Sequence, residues 1–133
     1  QVAPDAAAEV DADVLAGVID AFHTYFSGVN DGGARSGYDV LTNRLKKNGE
    51  YRVWRDNVSD SYDTDVFISD LQDMREEAVR AEVSFTSEQP GDKGPEPGET
   101  CTHWSLVYTL VPGGSGYLIN SAKLASRNGH TPC

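Results

Sequence analysis

The chain has 133 residues, 38% hydrophobic and 24% charged, with 21 acidic against 11 basic side chains and a net charge of −10. That size suits one domain able to bury a core without metals or many crosslinks, and the composition is globular rather than disordered. Such a surface repels phosphate backbones and anionic lipid, and no Lys/Arg cluster interleaves with aromatics, so nucleic-acid binding is not expected.

The opening Gln1-Val2-Ala3-Pro4-Asp5-Ala6-Ala7-Ala8-Glu9 is rich in Ala and acid, and the one methionine is Met74. Residues 1–10 therefore read as a spacer, left by loss of a signal peptide or anchor, or by division of a longer protein. No apolar run approaches the roughly 20 residues that span a bilayer, so no direct membrane insertion of this segment is expected. Val10, Val14, Leu15, Val18, Ile19, Phe22, Phe26 and Val29 then recur at spacings of three and four. This predicts a helix over 11–29 with one broad apolar stripe. Asp11 and Asp13 complement its N-terminus, and Asn30-Asp31-Gly32-Gly33 ends it.

A second helix is expected over 34–47. Tyr38, Leu41 and Leu45 form its apolar face, Lys46 and Lys47 suit its C-terminal end, and Asn48-Gly49 stops it. Tyr51-Arg52-Val53-Trp54 reads as a short helical bend, with Trp54 a core anchor. From Ser59 the pattern turns to strand, with alternation from Ser61 to Leu71 and a hairpin turn at 72–76. In the next strand, Ala78 to Ser87, Val79, Ala81, Val83 and Phe85 share a face. Residues 88–100 carry Pro90, Pro95, Pro97, Gly91, Gly94 and Gly98 and read as a mobile surface loop. The strongest strand signal is Cys101 to Val111, with Trp104, Leu106, Tyr108 and Leu110 on one face and His103, Ser105, Val107 and Thr109 on the other. A turn at 112–116 leads into a return strand over 117–124.

Helices first and antiparallel strands after predict an α+β domain over 11–125, whose curved sheet covers the long first helix and leaves a pocket between them. Residues 126–133 form a polar tail ending in Cys133. The two cysteines, Cys101 and Cys133, are an even count, and a disulfide between them pins the tail to the sheet. Closing that loop contributes about 3–4 kcal/mol in the chain-entropy model and implies an oxidising, extracytoplasmic compartment. Two unrelated free thiols are the alternative; zinc is not expected at this spacing.

The helix–helix–bend–four-strand order resembles the cone-shaped superfamily typified by nuclear transport factor two and ketosteroid isomerase (SnoaL-like). The pieces that carry it are Tyr25-Phe26-Ser27-Gly28-Val29-Asn30-Asp31-Gly32, Ser61-Tyr62-Asp63-Thr64-Asp65-Val66 and Cys101-Thr102-His103-Trp104-Ser105-Leu106-Val107-Tyr108-Thr109-Leu110. They are similar to small extracytoplasmic actinobacterial domains, secreted or displayed beyond a membrane anchor. The resemblance spans Val14 to Leu124 and implies a curved antiparallel sheet wrapped around a long N-terminal helix with two shorter helices. It says little of function, because the superfamily hosts enzymes, carriers and scaffolds alike. It also implies dimerisation or protein docking through the open sheet face, for which His103, Ser105, Val107 and Thr109 are candidates.

A non-catalytic domain binding an apolar small molecule would line its pocket with Phe22, Phe26, Tyr38, Trp54, Phe85, Trp104 and Tyr108, although such aromatics also suffice to fill a core. The alternatives are a small isomerase, lyase or polyketide-cyclase-like enzyme and a purely structural assembly domain. An enzyme would need a buried carboxylate and a tyrosine. Tyr25, Tyr38, Tyr62 and Tyr108, with Asp20, Asp39, Asp63 and Asp65, supply the parts, yet no position is assigned as catalytic. The discriminator is a carboxylate in a water-accessible cavity with its pKa raised by burial. Ser59 to Asp65 alternates acid like a calcium-loop fragment but lacks that loop's Gly and final Glu, so it reads as a solvated strand edge. His23, His103 and His130 are scattered and read as surface groups; no cofactor is expected. Asn57-Val58-Ser59 matches the N-glycosylation triplet, a pattern common by chance.

Overall fold

The computed structural model describes residues 1–46 and 50–133. The long apolar stripe forms α2 (Ala12–Asn30), preceded by a single turn, α1 (Pro4–Ala7). Val18, Phe22, Phe26 and Val29, one or two turns apart, are buried along one face of α2. The helix ends where Gly32 and Gly33 take φ of 69° and 81°, letting the amides of Gly33 and Ala34 turn back onto the Gly28 carbonyl. Gly28 is needed for a second reason: a Cβ there would lie 2.6 Å from the Gly37 Cα, because the following helix crosses backbone to backbone.

The helix expected over 34–47 is interrupted. It forms α3 (Arg35–Asp39) and α4 (Asn43–Lys46), and between them residues 40–42 lie along a strand edge. Ile119 donates its amide to the Val40 carbonyl and accepts from the Thr42 amide, so sheet pairing wins over helix continuation. The expected stop at Lys47 and Asn48-Gly49 lies outside the described residues. The bend at Tyr51 is a full two-turn helix, α5 (Tyr51–Val58).

Five antiparallel strands follow: β1 (Tyr62–Asp73), β2 (Val79–Glu88), β3 (Cys101–Gly113), β4 (Gly116–Leu124) and the short β5 (His130–Pro132). The order is β1-β2-β3-β4, with β5 pairing β3 beyond the end of β4. The outer edges are partly covered, β4 by residues 40–42 and β1 by the N-terminus, where Ile68 bonds both Gln1 and Ala3 through the backbone. Residues 1–10 are thus no detached spacer: Ala6 and Val10 are buried in the core. The core lies between α2 and one sheet face, where Val18, Leu71, Val79, Val83 and Leu110 are each 0% exposed.

Two expectations about the connections change. The turn at 72–76 becomes a longer β1 and a 3₁₀ turn (Arg75–Glu77) that puts Glu76 and Glu77 at φ 58° and 63°. The loop at 88–100, expected to be mobile, is anchored. Gln89 pairs through its backbone with Thr100, and its side-chain amide donates to the Glu99 carbonyl and to Thr102 Oγ1. Lys93 reaches across to the Asp56 carbonyl at 2.6 Å and to Asp60. The tail is joined by a Cys101–Cys133 disulfide, Cα to Cα 5.4 Å, and His130 rests on the Trp104 ring.

Candidate functional site

The alternation assumed for β1 fails at two points. Thr64 pairs with Thr86 and Phe67 with Ser84, so Asp65 and Val66 together oppose Phe85; a second slip leaves Ser69 between the pairs Ile68–Val83 and Asp70–Glu82. Asp65 takes the left-handed conformation at the first bulge, φ 57°. Two extra residues bring Leu71, Ile68 and Asp63 onto the inward face, opposite Ala81, Val83 and Ser87. A carboxyl therefore occupies a core-facing register, not the solvated edge the acidic run suggests. The last residue of α2 holds it there: Asn30 Nδ2 donates to the Asp63 carbonyl and the Asp63 amide donates to Asn30 Oδ1, both at 2.7 Å. This reciprocal pair mimics a ladder rung and fixes the end of β1 to the end of α2.

Asp63 borders two cavities. The larger, about 270 Å³, is a cleft between α2 and β1. Its floor is apolar, with Ile19, Phe22, Phe26, Val66 and Ile68, and its rim carries His23, Ser27, Asn30, Asp63 and Asp65. The smaller, about 150 Å³, lies beneath the anchored loop and touches Tyr25, Phe85, Ser87, Lys93 and Trp104. Burial pushes the Asp63 carboxyl up from 3.8 to about 6. Burial, and then the Asp63 charge, lift Tyr25 to about 12. Tyr108 is also raised, by burial first and then by Tyr25 and Asp63. Near neutral pH the arrangement offers one carboxyl able to gain or lose a proton and two phenols that stay protonated as donors.

The seven expected pocket residues do not share one pocket. Phe22 and Phe26 floor the α2–β1 cleft, while Phe85 and Trp104 line the smaller cavity. Tyr108 sits behind them, 4% exposed, edge-on to Phe22 with ring centres 5.0 Å apart. Tyr38 and Trp54 belong to a separate depression beside α5, 5.8 Å from each other, with the Lys46 ammonium 4.9 Å over the Tyr38 ring. Of the outer-face candidates, His103 is exposed and bonds Thr86, Ser105 is half-buried, Thr109 bonds Ser121, and Val107 is buried. Among the possible catalytic parts the structure unites Asp63, Tyr25 and Tyr108 and leaves out Tyr62, which is 53% exposed, and the exposed Asp20 and Asp39. His130 is half-buried on Trp104, not a free surface group. No group of three or more His, Cys, Asp or Glu among the described residues is placed to hold a metal.

Asn30 and the inward turn of Asp63 were not legible in the strand pattern. The one trace is the spacing of the inward residues, Asp63, Val66, Ile68 and Leu71, which alternates three and two where a regular strand needs two. No protein-family model matches the chain, and neither the curated proteins nor the solved structures contain a match.

Proposed function

We propose that this chain is a non-catalytic extracytoplasmic binding or sensor domain that takes a small apolar or amphipathic molecule in the cleft between α2 and β1. The observation that carries the reading is the cleft itself: a cavity of about 270 Å³ with an aromatic and aliphatic floor and a few polar groups at its rim, the usual composition of a small-molecule site. The disulfide supports an oxidising compartment, beyond a membrane or secreted. The bulges in β1 supply the bending that a cone of the nuclear transport factor two and ketosteroid isomerase kind requires, and α2 supplies the helix such a sheet wraps.

The test is a thermal-shift screen with fatty acids, sterols, polyketide-like aromatics and cell-wall fragments. A concentration-dependent rise in melting temperature for one chemical class is expected, and it should vanish when Phe26 is replaced by Asp. No shift with any class sinks the reading in favour of a protein partner or a second copy on the outer sheet face around His103, Ser105 and Thr109.

A second reading is favoured by one observation, the raised carboxyl of Asp63 beside two protonated tyrosines. In it, Asp63 removes a proton next to a carbonyl that Tyr25 or Tyr108 polarises, as in a small isomerase or lyase. Incubation of enolisable ketones in deuterated buffer decides it: exchange by the native chain that is lost in Asp63→Asn supports the reading, and equal exchange by both removes it.

A further inference from the structure

We infer that the ligand of the α2–β1 cleft is a small organic cation, a protonated amine with an apolar body, held between the Asp63 and Asp65 carboxylates and the rings of Phe22 and Phe26. The inference rests on the binding reading above and adds the ligand's charge. Asp63 and Asp65 both line the cleft, and among the described residues neither has an ion-pair partner. Asp63 stands on a core-facing register, clamped by Asn30 through its backbone while its carboxyl is left without a cation. A partly desolvated carboxylate lacking a counter-ion is costly, and an incoming ammonium lowers that cost. The floor suits the same ligand, since aromatic faces attract cations while their area takes up an apolar body. Behind it, the nearly buried Tyr108 lies close enough to feel the Asp63 charge. A net charge of −10 draws cations toward the surface and repels anions.

The other charged or titratable groups at the cleft do not neutralise it. His23 is exposed at the rim, and the backbone nitrogen of Gln1 is engaged with the Val66 carbonyl at 3.2 Å. Lys93 is engaged with Asp56 and Asp60 on the far side of Asp63. Because the unliganded Asp63 holds its proton up to about pH 6, binding an ammonium below that value expels one proton.

Three probes of one apolar body and different charge test this by calorimetry: 2-phenylethylammonium, 2-phenylethanol and phenylacetate. At pH 7 the ammonium is expected to bind at least ~10-fold more tightly than the alcohol, a difference of about 1.4 kcal/mol. Phenylacetate is expected to bind weakest. From pH 7 to pH 5 ammonium affinity should fall ~5- to 10-fold with proton release, and alcohol affinity should stay level. Asp63→Asn should erase the preference for ammonium and leave alcohol binding in place. Equal binding of ammonium and alcohol, a preference that survives Asp63→Asn, or no proton release at pH 5 overturns the inference while leaving a binding cleft intact. Failure of all three probes, together with a blank thermal-shift panel, overturns both. The pH series uses the unmodified protein, so it decides even if the variant misfolds.

Discussion

The inward face of the sheet has two ends of opposite character. At one end, the row Val79–Leu110–Ile119 crosses three strands as unbroken hydrocarbon, sealed by Val18 of α2 and 0–1% exposed throughout. At the other, the row Asp63–Ser87–Thr102 occupies equivalent inward registers with polar groups. Ser87 and Thr102 are buried and satisfied: Trp104 Nε1 donates to Ser87 Oγ, and Gln89 donates to Thr102. The Asp63 carboxyl in the same row has no such partner among the described side chains. The contrast separates burial that stabilises from burial that stores a binding or proton-transfer capacity, because an apolar group gains by leaving water whereas a carboxyl gains only when something pairs with it.

Breaking the apolar end should cost most. Leu110→Ala removes a fully buried side chain and is expected to lower stability by about 2–5 kcal/mol in urea unfolding, with the cleft still able to bind. Releasing the tail comes next: the disulfide closes 32 residues of separation, and Cys101→Ser with Cys133→Ser should cost about 3 kcal/mol, read as a lower denaturation midpoint.

The polar end should respond with the opposite sign. Asp63 has a folded value of about 6 against an ordinary 3.8, so the native state holds this proton more firmly than the unfolded chain does. Its contribution is complete below pH 3.8 and is lost as pH rises through about 6. Asp63→Asn is therefore expected to raise stability at pH 7 by on the order of 1 kcal/mol, reduced from the full shift because the carboxyl keeps access to solvent. Comparing urea midpoints of the two proteins from pH 4 to 7 checks this; parallel curves would count against a raised Asp63. The smallest effect belongs to neither end: Glu77→Gly in the 3₁₀ turn relieves a φ of 63° and should gain up to about 1 kcal/mol in melting experiments.

The apolar end was legible in advance. Val79, Ala81 and Val83 alternate, and so do Leu106, Tyr108 and Leu110, because a regular strand sends every second side chain to one face. The same rule hid the polar end, since it holds only between bulges and β1 carries two. The disulfide was open to inference from cysteine count and position, while the pairing of β5 with β3 was hidden in a three-residue polar segment. The seven aromatic candidates are buried or half-buried, yet periodicity gives a face and not a neighbour, so the division of six of them among three cavities, with Tyr108 behind, was out of reach.

What the sequence determined by itself is the α+β class, the long amphipathic helix and the four main strands, since each rests on repeats of two to four residues that the local chain sets. Tertiary structure decided the break of the second helix at residues 40–42, the docking of residues 1–10, and the inward turn of Asp63. Each depends on a partner far away in the chain: Ile119 for residues 40–42, Ile68 for the N-terminus, and Asn30 for Asp63. A backbone group bonded to a distant segment leaves no periodic trace in its own neighbourhood, and the candidate site is built from such groups.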